Sequence, residues 1–120
     1  MALILVCDDS RTVRQQVVFV LADDGHDVGE AENGEQGLER LRKAQYDLVV
    51  LDVNMPKLDG FGFLEKMRLI PGYEKVPVVM LTTESAVARM KHARDLGAIG
   101  WLVKPFQPDR LLMVAKKILG

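Results

Sequence analysis

Short, continuous apolar runs alternate five times with segments of helical period, and few folds can satisfy that alternation. Leu3 to Cys7, Leu48 to Leu51, Val78 to Leu81 and Ile99 to Val103 are of strand length and rich in branched residues. Hydrophobicity that is continuous rather than alternating predicts strands covered on both faces, as in a parallel sheet. Asp27 to Ala31 is a weaker run that contains Gly29, which predicts a strand at a sheet edge.

Helices are expected between these runs. The first spans Arg11 to Asp23, with Val13, Val17, Val20 and Leu21 on one stripe and Gly25 placed to end it. Asn33 with Gln36 reads as a capping box for a helix through Leu38 and Leu41. A third helix is predicted over Phe61 to Leu69, ended by Pro71-Gly72, and a fourth from an N-cap at Ser85 to Gly97. Pro108 suits the first turn of a fifth, with Leu111, Ala115 and Ile118 facing inward. The repeated βα unit predicts an α/β sandwich with right-handed crossovers, as a single domain over residues 1–120 without linker or output domain.

Composition narrows the function classes. A net charge of −1 supplies no global field for nucleic acid or an anionic membrane, so neither is expected as a partner. Cys7 is the sole cysteine and excludes an internal disulfide, and no run approaches the ~20 apolar residues of a membrane span. The opening apolar run has no basic flank or cleavage site of a signal peptide, so a cytoplasmic location is expected. His26 and His92 are read as surface residues, Cys7 as a small buried hydrophobe, Met55 as packing beside a proline turn, and Lys116-Lys117 as a solvated helix end.

Chemistry collects where the strands end. The first run is followed by Asp8 and Asp9, the third by Asp52, the fourth by Thr82 and Thr83, and the fifth by Lys104. In a parallel sheet all carboxyl ends share one edge, where open α/β sheets bind ligands. Three carboxylates and one ammonium at that edge would leave a net negative charge, which a divalent cation would offset. The available ligands are hard oxygens, so Mg²⁺ is expected over zinc or copper. An aspartate in such a site can attack phosphorus and form an acyl phosphate, with Lys104 offsetting charge on the transferring group.

Four segments in order carry a family resemblance: Val-Cys-Asp8-Asp9-Ser, Leu-Asp52-Val-Asn-Met55-Pro56 with Asp59-Gly60, Met-Leu-Thr82-Thr-Glu, and Gly-Trp-Leu-Val-Lys104-Pro105-Phe106. Together they resemble the receiver domain of two-component response regulators over the whole chain, most closely the stand-alone chemotaxis regulators. The resemblance implies a flavodoxin-like (βα)5 three-layer sandwich, its five-stranded parallel sheet ordered 2-1-3-4-5. It implies phosphorylation of Asp52 by a CheA-like sensor histidine kinase, and Mg²⁺ held by Asp9, Asp52 and the Asn54 carbonyl, with Asp8 acting through a metal-bound water. Lys104 would bind phosphoryl oxygens and the Thr82 hydroxyl would move toward them, coupled to the aromatic position held by Trp101. It further implies a cis Lys104-Pro105 peptide.

Asn54 and Glu84 flank the acceptor and switch positions as in chemotaxis regulators, which implies a short-lived phosphoryl group. Output would pass through the fourth helix, fifth strand and fifth helix, including Val87, Trp101, Val103 and Phe106, to a protein target such as the flagellar motor switch. A monomeric signalling switch is therefore expected rather than an enzyme acting on a separate substrate. A haloacid-dehalogenase-like phosphatase would need an acid/base aspartate where Asn54 stands, and a flavodoxin-like electron carrier would need a Ser/Thr-rich loop after the first strand. The remaining alternatives are a non-chemotaxis receiver, a phosphorelay intermediate and an unphosphorylated docking module.

Overall fold

The computed structural model describes residues 1–83 and 89–120. Its elements run β1 (Leu3–Cys7), α1 (Arg11–Asp23), β2 (Asp27–Ala31), α2 (Gly34–Lys43), β3 (Leu48–Asp52), α3 (Gly60–Met67), β4 (Val78–Thr82), α4 (Met90–Asp95), β5 (Gly100–Val103) and α5 (Pro108–Leu119). The strands form one parallel sheet in the order β2-β1-β3-β4-β5. This is the flavodoxin-like arrangement that the sequence implies.

Hydrophobic pattern decides each strand's place. Every residue of β3 and β4 is buried, which matches their unbroken apolar runs in the middle of the sheet. β2 exposes Asp27 and Glu30 and lies at the edge. One side of the sheet packs Val17, Val20 and Leu21 of α1 against Leu111 and Ala115 of α5 and the aliphatic side chains of the strands. The other side packs Leu38, Phe63, Met67 and Met90, from α2, α3 and α4.

Local chemistry sets the helix ends. Ser10, Asn33 and Asp59 each accept a hydrogen bond from a first-turn backbone N–H, of Val13, Gln36 and Gly62 respectively. The predicted capping box at Asn33 closes one residue earlier than expected, because Gln36 Oε1 accepts from the Glu32 N–H at 3.0 Å. Gly25 follows α1 with φ +91°, a left-handed turn that glycine adopts without a steric penalty.

Several expectations are corrected. β3 and β4 extend through Asp52 and Thr82, so these residues end their strands rather than follow them. Ile99 precedes β5, and α3 starts at Gly60 and ends at Met67, with Arg68 as its C-cap. His26 is not a free surface residue: its Nδ1 accepts the Ala2 N–H at 3.0 Å and its Nε2 lies 3.5 Å from Asp24. Spacing could not reveal this contact, which links two segments at the amino end of the sheet. The expected N-cap at Ser85 lies outside the described residues.

Candidate functional site

Parallel register brings the ends of four strands to one rim, with Asp52 beside Leu81 and Thr82 beside Val103. Asp8 follows β1 and is fully buried. Its backbone N–H donates to Ala31 O at 3.1 Å, and its Oδ1 accepts from Ser10 N–H at 2.8 Å. Arg14 Nη1 donates to the Asp8 carbonyl at 2.6 Å while its Nε pairs with Glu30 at 3.2 Å. The turn after β1 is thereby fixed from α1 and from β2.

Lys104 closes the site from the far side. Its Nζ donates to Asp52 Oδ1 at 3.0 Å and lies 2.8 Å from Asp8 Oδ2. The second contact is a close ion pair, so one ammonium is shared between two buried carboxylates. The Lys104 backbone N–H donates to Thr82 O at 2.7 Å, and the Lys104–Pro105 peptide is cis, as the resemblance implies.

The electrostatics follow from crowding two buried carboxylates around one ammonium. Burial pushes the Asp52 carboxyl up to about 6, helped by the Asp8 charge and opposed by Lys104 and by a hydrogen bond from the Asn54 backbone. Burial alone would lower the Lys104 pKa, but Asp8 and Asp52 outweigh it and hold the ammonium above its ordinary value. Cys7, directly beneath, has its thiol pushed up by burial and then by Asp8, which makes it inert.

Asp8, Asp9 and Asp52 each offer a carboxylate oxygen within 4.8 Å of the others. Asp8 and Asp52 are buried and Asp9 is exposed. A hard divalent cation fits this set on two grounds. All donors are oxygen, and two buried carboxylates share a single ammonium, which leaves negative charge uncompensated. Asn54, exposed at the start of the next loop, borders the same cluster through its backbone bond to Asp52.

The remaining candidates divide. Thr82 is buried and its hydroxyl donates to Thr83 O at 3.0 Å, directed along its own strand end. Trp101 is half-buried against the aromatic core, with the Arg94 guanidinium 5.3 Å above its ring. Val103 is exposed, half-buried Phe106 lies beyond it, and both border a cleft with Trp101 and Arg110. Glu84 and Val87 lie outside the described residues.

Sequence pattern missed Arg14 and Arg68. Arg14 serves the site through a backbone carbonyl, for which no residue type is diagnostic. Arg68 donates to the carbonyls of Tyr73, Val76, Leu96 and Gly97, tying the end of α3 to the end of α4. A basic residue just past a helix is too common to signal that role.

Comparison with known proteins agrees with this geometry. Residues 4–116 match the family described as the response regulator receiver domain. The chain is 36% identical over 119 residues to a chemotaxis protein CheY homolog of Campylobacter jejuni, covering 98% of this chain and 92% of that protein. It is 38% identical over 116 residues to the probable transcriptional regulator ycf27 of Porphyridium aerugineum, covering 97% of this chain and 47% of that protein. The chain spans about half the length of the transcriptional regulators it matches. Among solved structures, the chemotaxis response regulator CheY4 of Vibrio cholerae superposes with a TM-score of 0.93 at 40% identity, covering 98% of each chain.

Proposed function

The chain belongs to the response regulator receiver family, and on that premise we propose that Asp52 is its phosphoryl acceptor in a Mg²⁺-dependent switch. Receiver domains accept phosphoryl groups and communicate with histidine kinases and downstream targets. The observation that carries the assignment to Asp52 is its buried carboxylate, bonded to Lys104 and grouped with Asp8 and Asp9.

A carboxylate oxygen of Asp52 attacks the phosphorus of a phosphohistidine. The new O–P bond forms as the P–N bond breaks, and the histidine nitrogen leaves with the electron pair. The attacking carboxylate must be ionised, and a pKa of about 6 leaves it mainly so at neutral pH. Asp8, Asp9, Asp52 and the Asn54 carbonyl would hold Mg²⁺, which supplies positive charge against the phosphoryl oxygens when bound. Lys104 supplies a second, fixed positive charge within reach of the same carboxylate. Water later attacks the acyl phosphate and releases inorganic phosphate, which restores the Asp52 carboxylate. Asn54 and Glu84 are proposed to orient that water and keep the phosphoryl group short-lived.

The signal leaves through Thr82 and Trp101 to the surface of α4, β5 and α5, with Val103 and Phe106 on it. A target that binds one arrangement better than the other reads the modification. Similarity across nearly their whole lengths to the Campylobacter and Vibrio proteins favours chemotaxis, with a CheA-like kinase upstream, a target such as the flagellar motor switch and a cytoplasmic location. Similarity to transcriptional regulators of about twice the length favours a second reading, in which the same receiver governs gene expression.

Trp101 is the only tryptophan and reports the switch directly. A small acyl phosphate with Mg²⁺ is expected to change Trp101 fluorescence in the wild type and to leave Asp52→Asn unchanged. An equal change in both proteins would remove Asp52 from the role. Faster phosphotransfer from a chemotaxis kinase than from a transcriptional sensor kinase would select the first reading over the second.

A further inference from the structure

The loop joining β3 to α3, residues 53–59, carries Asn54, and its main chain follows an unusual path. Gly60 N–H donates back to Val53 O at 2.8 Å, and Leu58 N–H donates to Pro56 O at 2.8 Å. Lys57 lies between these bonds at φ +70°, in the left-handed region that disfavours a lysine. Such a loop needs an external hold, and half-buried Leu58 provides one.

Leu58 sits in a slot made by glycines of two helices. A Cβ on Gly34, at the start of α2, would lie 2.7 Å from Leu58 Cβ and 2.8 Å from Leu58 O. A Cβ on Gly62, in the first turn of α3, would lie 2.7 Å from Leu58 Cδ1. All three distances are shorter than a real Cβ contact, so a side chain at position 34 would force the loop backbone to shift, and one at position 62 would displace the Leu58 tip. The first glycine touches the loop backbone, the second only the tip of the side chain.

We propose that Leu58, seated between Gly34 and Gly62, is a positioning residue that holds the loop so that the Asn54 main chain stays aimed at the Asp52 carboxylate. Asn54 lies in the same loop two residues after Asp52, and the proposed metal ligand set includes the Asn54 carbonyl. The inference therefore rests on the proposed Mg²⁺ site. Leu58 touches no reacting atom. It acts through Asn54, as outer partners of metal sites orient the groups that bind the ion.

The test is a Mg²⁺ titration of the full chain, followed by backbone amide NMR well below the melting temperature. In Leu58→Ala the Mg²⁺ dissociation constant rises about tenfold, and the Asn54 amide resonance moves before any metal is added. Leu58→Met, similar in volume, restores most of the affinity. Gly62→Ala separates positioning from stability, because alanine favours the helix yet pushes the Leu58 tip outward. It raises or preserves the melting temperature while weakening Mg²⁺ binding. Unchanged affinity and an unmoved Asn54 amide in Leu58→Ala and Gly62→Ala would overturn the inference. A wild type that binds no Mg²⁺ would instead overturn the metal site, leaving the Asn54 resonance to decide whether Leu58 holds the loop.

Discussion

The two faces of the sheet are built from different materials. Beneath α1 and α5 the buried core is aliphatic: Ile4, Val6, Val17, Leu21, Leu48, Val50, Val79, Leu81, Leu102 and Leu111. Beneath α2, α3 and α4 aliphatic residues such as Leu5, Val49 and Leu51 are joined by Tyr46, Phe61, Phe63 and Tyr73 and by Met55, Met67, Met80 and Met90. Branched aliphatic side chains have few rotamers and pack as a stiff layer, whereas methionine adapts to changing shapes. Trp101 and the loop bearing Leu58 both pack against the second, adaptable face. Asp52 thus stands on a fully buried central strand, while Trp101, the ring expected to move, lies over the core richer in methionine and aromatic side chains.

The largest test of this contrast is Phe63→Ala. Phe63 is fully buried and packs against Gly37, so its loss should cost about 3–5 kcal/mol in urea unfolding. A much smaller loss would show that this face collapses around the void and is softer still.

Asp52→Asn comes next and acts in the opposite direction. The folded protein holds the Asp52 carboxyl at about 6 against an ordinary 3.8, so folding takes up a proton between those values. The group is least costly to the fold below its unfolded pKa, and stability falls as pH rises through about 6. Without metal at pH 7, Asp52→Asn should therefore be more stable than wild type by about 1–3 kcal/mol. Denaturation at pH 7 and below pH ~4 checks this, since the advantage should vanish in acid and shrink when Mg²⁺ is added to the wild type.

A finer comparison exchanges volume on each side. Val50 and Met80 both occupy fully buried central strands, on the aliphatic and adaptable faces respectively. Val50→Leu overfills a stiff layer and should cost about 1–3 kcal/mol, whereas Met80→Leu should cost less than about 1.5. Equal costs, measured by thermal or urea unfolding, would erase the distinction between the faces.

Much of this architecture was legible in the residues. The runs Leu48–Leu51 and Val78–Leu81 are apolar on both sides, a pattern that suits an interior parallel strand. Once the strands are parallel, Asp8, Asp52, Thr82 and Lys104 must share a rim. The sheet order itself came from the family resemblance, because apolar runs do not record which strand lies beside which. What stayed hidden depends on backbone atoms: Arg14 on the Asp8 carbonyl, Arg68 on four carbonyls, His26 on the Ala2 N–H. The Leu58 slot was hidden for another reason, since glycines at 34 and 62 announce space without saying what fills it.

The most direct measurement treats the protein with a small acyl phosphate and Mg²⁺, then maps the acid-labile phosphoryl group by peptide mass spectrometry. One group on Asp52, absent when Mg²⁺ is chelated and absent in Asp52→Asn, is the predicted result. Modification at another residue, or none under conditions that keep the protein folded, would contradict the account.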